Sequence, residues 1–107
     1  MNTRHGLTDQ TVAQIHEVLT RFPEVEKAVL YGSRAKGNFK PGSDVDLTLL
    51  GANVTPKILS RIQRELDDGL LPYRFDLSIL AQITQADLID HIRRVGVVFY
   101  EKQPSPT

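Results

Sequence analysis

The sequence predicts an α/β (α+β) domain: a two-layer fold in which a mixed sheet of three to four strands packs with helices, in the order α-β-α-β-α-β-α-β. Three observations predict it. Short runs rich in apolar and β-branched residues recur at 25–31, 44–50 and 74–80. Stretches with apolar residues at three- and four-residue spacing separate them. The chain has 107 residues and no cysteine, a length at which one hydrophobic core closes without covalent staples. A single domain over residues 1–107 is therefore expected, with 1–7 and 102–107 as flexible ends.

Residues 8–22, TDQTVAQIHEVLTRF, place Val12, Ile15, Leu19 and Phe22 at helical spacing, with Thr8 as N-cap and Pro23 as a stop. VEKAVLY at 25–31 is apolar on both faces at its end, as an interior strand requires. Gly32 and Ser33 break it, and RAKG allows one or two helical turns before the turn chemistry of NFKPGS. DVDLTLL at 44–50 alternates, with Val45, Leu47 and Leu49 on one face and Asp44, Asp46 and Thr48 on the other. Thr55 caps the next helix, Pro56 takes its first position, Ile58, Leu59, Ile62 and Leu66 form its apolar stripe, and Gly69 ends it. RFDLSIL at 74–80 alternates again, Phe75, Leu77 and Ile79 against Asp76 and Ser78. Thr84 and Asp87 read as a capping-box variant opening a helix with Leu88, Ile89, Ile92 and Val95; Gly96 ends it, and VVFY is a last short strand.

Thirteen basic residues balance thirteen acidic ones. No global field therefore draws nucleic acid or an anionic membrane, and any phosphate binding must come from local charge. The absence of cysteine excludes disulfides, thiolate zinc sites and cysteine nucleophiles. The segment MNTRHGLTDQ lacks the apolar stretch of a secretory signal. No apolar run approaches the roughly 18 residues of a membrane span, and the cytosol is the expected location. Direct nucleic-acid binding is not expected, because there is no basic stripe and no aromatic stacking platform.

The chemistry concentrates in LYGSRAKGNFKPGSDVDLTLL, residues 30–50. Asp44 and Asp46, two residues apart on a strand, leave the same face about 6.6 Å apart at Cα. Like charges so placed raise each other's pKa unless a cation lies between them, and hard oxygen ligands favour Mg²⁺ or Mn²⁺ over zinc. Asp76 lies on the polar face of another strand; if the two strands are neighbours, three carboxylates share one face. Gly32 and Ser33 form a strand-to-helix corner that exposes backbone N–H groups and a hydroxyl to an anion. Arg34, Lys36 and Lys40 give local positive charge. Among the histidines, His16 and His91 flank apolar helical stripes and His5 lies near the N-terminus; none is assigned a role.

GSRAKGNFKPGSDVDL resembles the G-S-x10-D-x-D signature of the nucleotidyltransferase superfamily typified by DNA polymerase beta. The chain from about Thr8 to Glu101 resembles its smallest members, the minimal nucleotidyltransferases (MNT). The likeness extends to the third carboxylate in RFDLSIL and to the closing IRRVGVVFYE, with Ser78 standing where relatives often carry valine or aspartate. The resemblance implies that Gly32 and Ser33, with Arg34 and Ser43, bind a nucleoside triphosphate. It implies that Asp44, Asp46 and Asp76 are catalytic and bind Mg²⁺, with Mn²⁺ as an alternative, and that Asp76 helps deprotonate the attacking hydroxyl. ATP would be the substrate. The partner implied is a helical-bundle HEPN or substrate-binding protein, and in toxin–antitoxin members AMP passes to a tyrosine of the HEPN toxin. Two other functions fit the same family: modification of a small molecule by a two-protein enzyme, and an antitoxin acting by binding alone.

Overall fold

The computed structural model describes residues 3–103. Helix α1 (Asp9–Thr20) starts where Thr8 supplies its side-chain oxygen to the Thr11 N–H at 3.1 Å. Its inner stripe, Val12, Ile15, Val18 and Leu19, is buried. Strand β3 (Lys27–Tyr31) leads into a five-residue helix α2 (Gly32–Lys36) and then β4 (Val45–Leu50). Helix α3 (Pro56–Asp68) is capped by Thr55, whose oxygen accepts from the Ile58 N–H at 3.2 Å, with Pro56 in the first turn where no N–H is missed. Strand β5 (Phe75–Ile79), a 3₁₀ turn (Leu80–Gln82), helix α4 (Ala86–Val95) and strand β6 (Val97–Glu101) complete the order.

These four strands form one mixed sheet in the order β5-β4-β3-β6, with β4–β5 parallel and both other pairs antiparallel. The parallel pair needs a crossover, which α3 provides. Leu30, Leu47 and Leu77 stand in register across three strands, as do Ala28, Leu49 and Ile79. With Val12, Ile15, Leu19, Ile62 and Leu66 from α1 and α3, they build the core. The opposite face carries Tyr31, Asp46 and Asp76 in one row and Val29, Thr48 and Ser78 in the next. Among the described residues, no helix is long and apolar enough to cross a membrane.

The structure differs from the sequence expectation at three places. Residues 1–7 were expected as a flexible end, yet β1 (Thr3–Arg4) pairs antiparallel with β2 (Leu7–Thr8), and Leu7 is fully buried in the core. The two-residue turn is His5-Gly6, with φ of 55° and 79°, the double positive φ that tight hairpins require. Residues 1–2 and 104–107 lie outside the described residues; Lys102, also expected in a flexible end, donates its N–H to the Glu26 carbonyl at 2.9 Å. The Thr84–Asp87 capping box does not form: Gln85 occupies the N-cap of α4 and gives no side-chain cap bond. Gly69 ends α3 as expected, with a right-handed φ, and the left-handed position falls on Leu70, φ 59°.

Leu7→Ala is expected to lower stability by about 2–3 kcal/mol, the cost of a core cavity, in urea unfolding monitored by circular dichroism. A change below about 0.5 kcal/mol would mean that the N-terminal hairpin does not hold its place in solution.

Candidate active site

Two strand pairings bring the row of polar side chains together. Tyr31 faces Asp46 across β3 and β4, and Asp46 faces Asp76 across β4 and β5. Asp44 precedes β4 and is exposed, Asp46 is half-buried, and Asp76 is exposed. Burial raises the Asp46 pKa to about 6, and the charges of Asp76 and Asp44 add to the rise; Arg34 acts the other way. Burial also raises the Tyr31 phenol, with Asp76 and Asp46 adding and the Ser78 hydroxyl opposing. That hydroxyl is close enough to act on the phenol but closes no well-formed hydrogen bond; its neighbour in register, Thr48 Oγ1, is buried without a partner.

Gly32 makes room for Asp46. It stands at φ 75°, and a Cβ there would run into the Asp46 carboxylate, so two independent reasons require glycine. Its N–H donates to His91 Nε2 at 3.1 Å. Ser33 is half-buried at the start of α2, and its carbonyl receives the Gly37 N–H at 2.9 Å. The Ser33 hydroxyl forms no hydrogen bond among the described residues, so it remains available to an anion.

The other two residues expected at the nucleotide lie differently. Arg34 is only 1% exposed. Its Nε and Nη2 donate to the Ser43 carbonyl at 3.1 and 2.9 Å, and its Nη1 donates to the His5 carbonyl at 2.9 Å. The guanidinium lies between the Phe39 and Tyr73 rings, 5.2 and 5.1 Å from their centroids. His5 Nδ1–H returns a bond to the Arg34 carbonyl at 3.1 Å. Arg34 therefore stitches the 37–43 loop to the N-terminal hairpin, and only its field reaches Asp46. In this arrangement the guanidinium faces backbone carbonyls inside the protein, not the open carboxylate face where the resemblance would have it meet a nucleotide. Ser43 Oγ accepts from the Lys40 N–H at 2.8 Å, so this side chain too is engaged in the loop's own turn. Lys36 and Lys40 are exposed.

Among the described residues, no three metal-ligating side chains converge tightly enough to enclose an ion by themselves. Asp46, with Asp76 beside it and Asp44 two residues earlier, is instead an open, over-charged carboxylate face. That donor set suits a cation that takes one or two carboxylates and fills the rest of its shell from substrate phosphates and water. Tyr31 and His91 are the site neighbours that sequence reasoning passed over. Tyr31 precedes the Gly-Ser corner and so shares the face of Asp46, a signal that was present; His91 is 59 residues from Gly32 and left no local one.

A family model described as "Polymerase beta, Nucleotidyltransferase" matches residues 13–105. Over 74 residues the chain is 35% identical to the "Probable protein adenylyltransferase MntA" of Haemophilus influenzae, covering 68% of this chain and 64% of that protein. The chain thus spans less than two thirds of that relative's length. The fold is similar to one chain of a toxin–antitoxin crystal structure with AMP-PNP, at TM-score 0.69 and 21% identity over 86% of this chain and 74% of the other. It is also similar to a chain of the tri-AMPylated Shewanella oneidensis HEPN toxin in complex with MNT antitoxin, at TM-score 0.62 and 18% identity over 85% and 70%.

Arg34→Lys keeps the charge but loses the fork and the stacking. It is expected to cost about 2 kcal/mol in chemical unfolding, and a variant as stable as the parent would show the clamp to be unimportant. The raised Asp46 pKa sets a second expectation. The folded protein holds this proton more tightly than the unfolded chain, so stability without metal falls as pH rises from about 4 to about 6. Asp46→Asn removes that part of the slope. Its melting temperature should exceed the parent's above pH 6 and converge with it near pH 4; equal pH profiles would contradict the coupling.

Proposed function

The chain belongs to the polymerase beta nucleotidyltransferase family, and we propose that it transfers AMP from ATP to a tyrosine hydroxyl of a helical HEPN-type partner protein, as the antitoxin of a toxin–antitoxin pair. The observation that carries this reading is the direct pairing of Asp46 with Asp76 beside the Gly32–Ser33 corner. That pairing supports a reading in which the carboxylates act beside a triphosphate held at the corner. The 35% identity to a protein adenylyltransferase supports the choice of acceptor class.

In this reading the Ser33 hydroxyl and the Ser33 backbone N–H bind the terminal phosphates. Gly32 keeps the backbone close enough for the triphosphate to reach Asp46. A Mg²⁺ or Mn²⁺ ion held by Asp44, Asp46 and Asp76 would neutralise charge on the triphosphate oxygens. Asp76 Oδ receives the proton of the attacking phenol. The phenolic oxygen bonds to the α-phosphorus, the bond from that phosphorus to the β-phosphate bridge oxygen breaks, and pyrophosphate leaves. The complex of enzyme and partner is then a hetero-oligomer by function, since the acceptor is itself a polypeptide.

The test is intact-mass spectrometry of the partner after incubation with ATP and Mg²⁺. The expected result is the addition of one or more AMP groups to tyrosine, abolished by chelation of the metal. Asp76→Asn should slow transfer by about 10²–10⁴, the usual worth of a positioned base. Without metal the Asp46 carboxyl is pushed up to about 6, so below that pH protons compete with the ion and the Mg²⁺ concentration needed for half-maximal transfer should rise. An unmodified partner would overturn the reading, and neutralisation retained by a triple Asp→Asn variant would favour inhibition by binding alone.

A further inference from the structure

We infer that His91 is a positioning residue for the triphosphate corner, acting through the Gly32 amide; this deepens the nucleotidyl-transfer reading above and rests on it. Helix α4 is seated directly on the sheet. Ile92 is buried, and at Gly96 a Cβ would run into the Ile92 carbonyl oxygen and lie 2.8 Å from Val29 Cγ1, so the helix end closes against β3 on a glycine. His91, the neighbour of Ile92, is thereby carried to the start of α2. Its ring stands edge-on to Tyr31, with centroids 6.2 Å apart and planes at 79°.

The bond from the Gly32 N–H to His91 Nε2 at 3.1 Å has two consequences. An imidazole nitrogen that accepts must carry a lone pair, so the ring proton of the neutral side chain sits on Nδ1. The Gly32 amide is also withdrawn from the donors a strand-to-helix corner offers an anion. The phosphate seat therefore begins at Ser33, with its amide and its hydroxyl. Gly32 can adopt many backbone angles and is held at φ 75°, against the Asp46 carboxylate. One hydrogen bond from α4 fixes that peptide, and with it the aim of the Ser33 groups and the clearance around Asp46.

His91→Leu keeps bulk and removes the acceptor; His91→Gln places an amide oxygen near the Nε2 position. In protein without nucleotide, His91→Leu should speed hydrogen exchange of the Gly32 amide about tenfold, and His91→Gln should return it to within about threefold of the parent. In AMP transfer, His91→Leu should raise the KM for ATP about five- to tenfold with kcat within about twofold, and His91→Gln should recover most of the change. A merely structural role would lower melting temperature without splitting KM from kcat or separating Leu from Gln. Unchanged Gly32 exchange, or equal kinetics for both variants, overturns the inference. The parent protein gives a test that needs no variant: imidazole ¹⁵N shifts should place the His91 proton on Nδ1, and a proton on Nε2 overturns it. If the parent modifies no partner, the function fails while the exchange and tautomer measurements still decide the role of His91.

Discussion

The Asp46 carboxylate lies against the Gly32 backbone, in register with Asp76 on the next strand and two residues from Asp44. Burial, and after it the charges of Asp76 and Asp44, raise its pKa to about 6, so it holds its proton more tightly than a free carboxylate. The fold holds the charges together nevertheless. The leucine rows on the other face of β3, β4 and β5 fix the register, and strands offset by one residue would turn every one of these side chains over. The crowding of like charge is thus imposed by the core, and it leaves a face whose repulsion a cation would relieve.

Arg34 is the counterweight. Its guanidinium is buried, hydrogen-bonded to the Ser43 and His5 carbonyls, and stacked between Phe39 and Tyr73. A buried charge with its donors satisfied is tolerable where a bare one is not. The loop joining the Gly-Ser corner to Asp44 is long and rich in turn residues, yet this one side chain ties it to the N-terminal hairpin. Its positive field also moderates the Asp46 shift. The basic loop is in this respect a piece of architecture that presents Asp44, with Lys36 and Lys40 left on its outer surface.

The two faces of the sheet divide the labour. Helices α1 and α3 seal the core side, tied further by the Arg21–Glu65 ion pair between them, whereas α4 covers only part of the polar side. The carboxylate row therefore stays open beside a helix that contributes His91. That openness leaves Asp76 exposed and Asp46 half-buried at the surface. The edge strand β6 is less protected, with Val97 and Val98 37% and 53% exposed.

Periodicity made most of the scaffold legible. The alternation of 44–50 and 74–80 sorts Leu47, Leu49 and Ile79 from Asp46 and Asp76, and Thr55-Pro56 marks the start of α3, because side-chain direction and caps are local properties of the backbone. The N-terminal hairpin was not legible: a lone Leu7 after His5-Gly6 has no periodic neighbours, and its burial depends on α1 lying over it. Strand alternation put the three aspartates on polar faces, shared only if the two strands were neighbours, and read Gly32 and Ser33 as a strand-to-helix corner. Only the tertiary structure decided that Asp46 meets Asp76 directly, that Arg34 turns inward to backbone carbonyls, and that His91 takes the Gly32 amide. Each of those is a contact between groups distant in sequence, and its geometry is set by strand register and helix seating, which no local pattern encodes.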